Sequence, residues 1–484
     1  MKTKTETEEQ RAKRKAGEAR ELARLEREMQ KPKGPLYLIY FIIVISVIYI
    51  ADEVTTQIGT QMQYVIASEV FAPIVGKDFA VARMSALGMV SLIASGLAYL
   101  YKPLSDRYGR KIFLVINTLG MGLGLVLVGI STNIPVYILG AIVIAFFTPH
   151  DMQAIYIMES APAKYRATLY SVIKCVATLG MFMIPVLRNR YIPDTDLSQW
   201  RMVYFLPAAM TLIIAVIALF CIRESDAFLI SRVNYLRMSD EERAAAKAAH
   251  DATQEQGGLI SGLKMCLTNK QLLWIVISNG LLMFGMIITN YYETVMTYGY
   301  SIPFVEELGQ AAAADMATAF ATKALFIFPF SSAALQLIPG FIADKWGRRV
   351  SAMVMALISL VTYLLFYIGC TKQWDPYAVG ALCGAAIGSY WSSGDMVSLI
   401  ASESAPTNMR VSVTTVSSLL SGVIYGVSML ATMILINIYG DAKIGIITAI
   451  VAMTGTAVGL VLIFAKVKDT KGIDLSAVTG SEFE

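Results

Sequence analysis

The feature that most limits what this chain can fold into is a duplication set among long apolar runs. Asp106 to Lys111 reads DRYGRK, and 238 positions later Asp344 to Arg349 reads DKWGRR. A longer stretch repeats at 244 positions: HDMQAIYIMESAPAKYR ends at Arg166 and GDMVSLIASESAPTNMR ends at Arg410. Within it Asp151 answers to Asp395, Glu159 to Glu403, Pro162 to Pro406 and Arg166 to Arg410. A period near half of a 484-residue chain means two related halves.

Composition names the solvent. The chain is 56% hydrophobic and 16% charged, with a mean hydropathy of +0.58. Soluble chains carry roughly 45–50% apolar and ~25% charged residues. A bilayer is crossed by about 20 mostly apolar residues in a helix. Such runs fall at 36–58, 80–101, 112–131, 134–157, 167–187 and 202–222, then at 271–294, 317–341, 350–370, 376–400, 411–436 and 444–465. The repeat offsets carry the first six onto the second six. The expected fold is therefore an all-α polytopic membrane protein, with twelve transmembrane helices as two pseudo-symmetric six-helix bundles. The bundles span 36–222 and 271–466, with a tail at 1–35, a linker at 223–270 and a second tail at 467–484.

Lysine and arginine orient the spans. One side collects the basic N-terminal tail, Arg107, Arg110, Lys111, Lys164, Arg166, Lys345, Arg348, Arg349, the 223–270 segment and Lys466. The other has Lys77, Arg83, Arg188, Arg190, Arg201, Lys372 and Lys443. Both termini are expected in the cytoplasm of a cell whose bounding membrane the chain spans. The lack of any Asn-x-Ser/Thr triplet fits a bacterial source. The tail, with opposite charges three and four apart, reads as a solvated helix rather than a nucleic-acid-binding arm. The linker reads as a tether.

Several chemistries have no support. Five scattered cysteines and two histidines offer no metal spacing and no disulfide framework. No GxxxxGK[ST] phosphate loop occurs, and no nucleophile–base arrangement is visible. No cofactor, metal or enzyme activity is expected.

Two short loops of form D-[RK]-[YW]-G-R-[KR] at equivalent places of two six-helix halves resemble the signature of the major facilitator superfamily. Glu-x6-Arg after the fourth and tenth spans, RESDAFL at Arg223–Leu229 and DTKGIDL at Asp469–Leu475 resemble its sugar-porter-like branch. The resemblance implies a monomeric secondary transporter of a small solute, working by alternating access. It also implies a cytoplasmic gate of Asp106, Arg107, Gly109, Arg110, Glu159, Arg166, Asp344, Gly347, Arg348, Glu403 and Arg410. Elementary chemistry agrees: the glycines permit a tight turn, and the arginines can bond Glu159, Glu403, Glu224 or the loop Asp. Ion pairs made between the halves would hold that side shut.

Charges inside a span are costly and mark function by default. Asp52 and Glu53 stand in the first span, Asp52 roughly 24 Å along it. By position Asp52 resembles the first-helix Asp of proton–sugar symporters, so both are candidates for proton coupling. Asp151 and Asp395 lie ~12 Å deeper than their cytoplasmic Glu. Lys174 reaches that depth from an antiparallel neighbour and is expected beside Asp151, as a structural pair or as a substrate- or proton-linked one. Asp395 is expected to face Ser418 instead.

Asn290, Tyr291, Tyr292 and Glu293 on the seventh span and Trp391 on the tenth complete the cavity candidates. Lys174 takes the place of a sugar-binding Gln of sugar porters, and the seventh span lacks their Gln pair, while Tyr291 and Tyr292 do match. An organic acid is thus slightly favoured over a sugar or glycoside. Uptake by proton symport is the leading expectation. Proton-coupled export of amphipathic compounds, and a transporter-like membrane sensor, are the alternatives.

Overall fold

The computed structural model describes residues 8–30, 35–101, 104–148, 156–157, 166–193, 196–243, 245, 259–406 and 409–471. Every apolar run of the sequence is occupied by helix, the fourth at Ile134–Phe147 and at 156–157. In chain order the helices are α1 Glu8–Met29, α2 Pro35–Gln61, α3 Gln63–Val75, α4 Ala80–Tyr101, α5 Arg110–Gly129 and α6 Ile134–Phe147. Then come α7 Arg166–Gly180, α8 Met183–Tyr191, α9 Arg201–Cys221, α10 Asp226–Arg237, α11 Leu259–Thr268 and α12 Lys270–Leu282. The last are α13 Met286–Ser301, α14 Val305–Trp346, α15 Arg348–Thr371, α16 Pro376–Glu403, α17 Arg410–Tyr439 and α18 Ile444–Lys466.

The spans differ from their apolar runs at one end. The first continues through α3, and the seventh runs on to Ser301. The residues that carry them further include the polar Gln61, Gln63, Thr297 and Ser301, and all four are buried. Their hydrogen-bonding groups face protein rather than lipid, so hydropathy underestimates the helix. The fifth span breaks between α7 and α8, where Pro185 has no N–H to offer the Met181 carbonyl.

The molecule is apolar on its perimeter, and polar side chains such as Gln61, Arg188 and Glu293 are buried within its apolar core. Phe220, Phe341, Phe464, Ile93 and Val423 are all exposed, as expected of side chains that meet lipid. The core is divided unequally. One cluster runs through both halves, joining Ile58, Tyr64, Phe71 and Trp200 of the first to Tyr291, Tyr292, Phe328 and Tyr363 of the second. Two further clusters stay within single halves. One gathers Ile45, Ile48, Leu114, Ile173 and Ile214; the other gathers Leu272, Ile275, Val397, Ile400 and Ile463. The halves therefore share a core at the end far from the termini and keep separate cores at the terminal end.

The N-terminal helix does not stand free in solvent, as the sequence suggested. It packs along α10, with Leu22 and Leu25 against Leu229, Val233 and Leu236. Glu21 meets Arg232 at 2.9 Å, Glu26 meets Arg237 at 2.7 Å and Glu18 meets Arg243 at 2.9 Å. The sequence pattern showed opposite charges within the tail; it could not show that the linker supplies the partners. The linker's second helix, α11, also packs, its Gly262 against the backbone of Ser412.

Candidate functional site

At the far end three carboxylates of the second half engage donors of the first. Glu293 of α13 accepts from Arg188 Nη1 at 2.9 Å and from the backbone N–H of Tyr64 at 2.8 Å. Both side chains of the Arg188–Glu293 pair are fully buried. Arg188 also donates from Nε to Thr322 at 3.1 Å and from Nη1 to the Gln61 carbonyl. Asp441 follows α17 and accepts from the N–H groups of Val81 (2.7 Å) and Ala82 (2.9 Å) at the start of α4. Asp315 of α14 takes Lys77 Nζ at 2.6 Å and the Tyr64 hydroxyl at 2.8 Å. Thr294 donates to Gln63 Oε1 at 2.7 Å beside them. These bonds close the far end, and they exist only while the halves touch there.

At the terminal end the same chemistry stays inside each half. Gly109 (φ 108°) and Gly347 (φ 105°) make matching turns before α5 and α15, a backbone region that glycine alone enters freely. Glu224 accepts from the N–H groups of Arg110 (2.8 Å) and Lys111 (3.0 Å). Asp469 does the same for Arg348 and Arg349, each at 3.2 Å. Any Cβ on either glycine would strike its carboxylate. Burial raises the Glu224 pKa above the usual glutamate range, and the backbone donors offset part of that.

The gate residues read from the loops fall partly here. Arg348 lies 3.6 Å from Asp344 and 3.4 Å from Glu403, and Arg110 donates to Ser105 at 3.0 Å. Thr470 donates to Glu403. Among the described residues these contacts lie within a half, not between halves as a shut terminal gate would need. Glu159 and Asp151 lie outside the described residues, and only the backbone of Asp106, Arg107, Arg166 and Arg410 is described.

Between the two ends lie the intramembrane charges. Lys174 of α7 approaches Asp395 of α16 at 3.5 Å, across the halves. This corrects the expectation that Asp395 faces Ser418: the lysine expected beside the first copy's aspartate meets the aspartate of the second. Asp52 and Glu53 are buried in α2, at 1% and 5% exposure.

A cavity of about 310 Å³ opens between the halves. Thr60, Gln63 and Ser85 face it from the first half, Asn290 and Tyr425 from the second. Asn290 donates to the Tyr425 hydroxyl at 2.7 Å. Tyr291 and Tyr292 are buried rather than on its wall, Tyr292 stacked on Phe328 at 5.0 Å. Glu293 is held in the far-end ion pair, and Trp391 packs on the shared core.

Sequence reasoning missed Arg188 and Asp441. Arg188 was counted among far-side loop charges, yet it ends an apolar run (MIPVLR) at a place where the second half has Thr432. That difference between copies was the available signal. Asp441 stood beside a loop glycine and carried none.

Comparison with known proteins places this arrangement. The chain is 22% identical over 334 residues to the glucose transporter GlcP of Staphylococcus epidermidis, covering 66% of this chain and 71% of that one. It is 27% identical over 165 residues to the multidrug resistance protein MdtG of Escherichia coli, covering 32% and 39%. Among solved structures, the inward-open xylose transporter XylE of E. coli aligns at a TM-score of 0.63 and 15% identity, over 93% of this chain and 100% of that one. The nucleoside transporter NupG aligns at 0.58 and 14%, over 88% and 100%. These last two likenesses carry the fold. The family model of the Major Facilitator Superfamily matches residues 35–423. The chain belongs to that superfamily, and it is a multi-pass membrane transporter rather than an enzyme.

Proposed function

We propose that the protein imports a small neutral polyhydroxylated solute of the sugar type across the cell membrane, by alternating access and proton symport. The terminal face is read as cytoplasmic from its lysines and arginines, so the state described here is open inward and closed outward. The observation that carries the reading is the unequal core: one shared cluster at the far end and separate clusters at the terminal end. A carrier in alternating access has its halves meet at one face at a time.

The charge pattern argues for a neutral substrate. The organic-acid reading rested on a cavity lysine in need of a carboxylate, and Asp395 supplies one from within the protein. The polar groups on the wall of the cavity between the halves include the hydroxyls and amides of Thr60, Gln63, Ser85, Asn290 and Tyr425. Such groups match sugar hydroxyls, and the curated relative GlcP is a glucose transporter. Asp52 is the proposed proton carrier and Glu53 its neighbour in the role. Lys174 and Asp395 are the proposed inner edge of the substrate site.

Uptake into proteoliposomes under a pH gradient tests this, with sugars, organic acids and amphipathic cations as the panel. Gradient-driven sugar accumulation that Asp52→Asn abolishes, with counterflow intact, is expected. Accumulation unchanged in that variant would remove Asp52. Export of amphipathic compounds is the second reading. It is favoured by Met84, Met89, Met286 and Met429 on the cavity wall, since flexible thioethers suit varied apolar ligands. Efflux of amphipathic cations with no sugar uptake would establish it instead.

A further inference from the structure

The charges of α1 are sorted by face. Its acids Glu18, Glu21 and Glu26 turn toward α10 and the residues after it and pair with Arg243, Arg232 and Arg237. Arg20, Arg24 and Arg27 point the other way. They recur at spacings of four and three residues, so they share one stripe of the helix. All three are exposed, and none has an ion-pair partner among the described residues. Lys13 extends the stripe two turns earlier and is held by Glu9 at 2.7 Å. Ala16 and Ala23 flank it and are also exposed, so short side chains leave the arginine heads free to approach a flat surface.

The stripe is tethered close to the bilayer. Only residues 30–34 separate α1 from the start of α2, a reach of under about 20 Å even if fully extended. Lys31 and Lys33 continue the basic run in that segment. With Glu18, Glu21 and Glu26 engaged by the linker's arginines and Glu9 by Lys13, the Arg20/Arg24/Arg27 side of the helix presents a positive face next to the headgroups. Nothing in the transport reading uses it.

We propose that the Arg20/Arg24/Arg27 face of α1 docks on the anionic lipid headgroups beside the first span. Clustered Lys and Arg next to a membrane-spanning helix are attracted to such headgroups, and the attraction is screened by salt. The partner is a phosphate-bearing lipid surface rather than nucleic acid or an acidic protein. The docked helix, with α10 clasped to it, holds the linker against the membrane.

Hydrogen exchange across residues 8–29 tests the proposal. The full chain is placed in nanodiscs of phosphatidylcholine alone, or of phosphatidylcholine with a third phosphatidylglycerol. Exchange in α1 should slow by on the order of a hundredfold in the anionic discs. The slowing should vanish at 0.5 M salt or in the triple variant Arg20→Gln/Arg24→Gln/Arg27→Gln. Because α10 holds α1 through its other face, the triple variant keeps the same exchange as the native chain in neutral discs. Equal exchange in both lipids, or a lipid-dependent slowing that survives the triple substitution, would overturn the proposal. So would slowing by added RNA but not by phosphatidylglycerol.

Discussion

Asp441 and Asp469 perform one chemical act in two places. Each lends a carboxylate to two N–H groups at the start of a helix, Asp441 to Val81 and Ala82, Asp469 to Arg348 and Arg349. Such groups have no partner inside the helix, and an acid there is favoured by the helix dipole as well. The difference is ownership. Asp469 caps a helix of its own half, as Glu224 does at 2.8 Å and 3.0 Å in the other. Asp441 caps a helix of the opposite half. A cap within a half moves with it and is kept in every state of the cycle. A cap between halves exists in one state alone, so its strength sets how that state is populated.

The largest effect is expected from Arg188. Breaking a buried pair by removing one partner costs about 3–5 kcal/mol, here all of it charged to the far-closed state. Arg188→Met should move the population toward far-open, and Arg188→Met/Glu293→Met should restore much of the closure. Thiol labelling at the far end reads both, and labelling unchanged in the single variant would deny the pair a gating role. Next comes Asp441→Ala, with about 0.5–2 kcal/mol lost, the usual range for a helix N-cap. Glu224→Ala and Asp469→Ala should lose similar amounts of thermal stability while leaving far-end labelling as it was.

A smaller effect is expected at Lys174 and Asp395, which are partly solvated at 18% and 63% side-chain exposure. Lys174→Gln should weaken substrate binding severalfold more than it shifts the conformational balance, measured as counterflow against labelling. The smallest is a pH effect. Glu224 binds its proton more tightly folded than unfolded, because burial raises its pKa. Its contribution to stability is therefore fullest below the ordinary glutamate range and shrinks as pH rises through the raised value. Glu224→Gln should flatten that part of the melting-temperature profile by a degree or so, about the scale of tenths of a kcal/mol.

What the sequence revealed and what it hid follow the same division. Spans, turns and the twofold plan were legible because each depends on neighbours in the chain: apolar length, a glycine at a required φ, a motif written twice. Glu224 and Asp469 sat in stretches that already stood out as RESDAFL and DTKGIDL. The far-end lock was not legible. Arg188 and Glu293 are 105 positions apart, and Asp441 lies 360 from Val81, so no local pattern joins them. Lys174 showed how depth can be right and partner incomplete. Counting residues along two helices gave its level, but which aspartates stand at that level depends on how the halves meet.

The most direct measurement is a distance across the far end. Spin labels at Ile74→Cys and Glu307→Cys, both exposed positions, report whether the halves touch there, once the five native cysteines are replaced. Asp441→Ala should add a longer-distance population that the parent chain lacks. Asp469→Ala, removing the same bonds from within one half, should leave the distribution unchanged. A longer population in both variants, or in neither, would contradict the account.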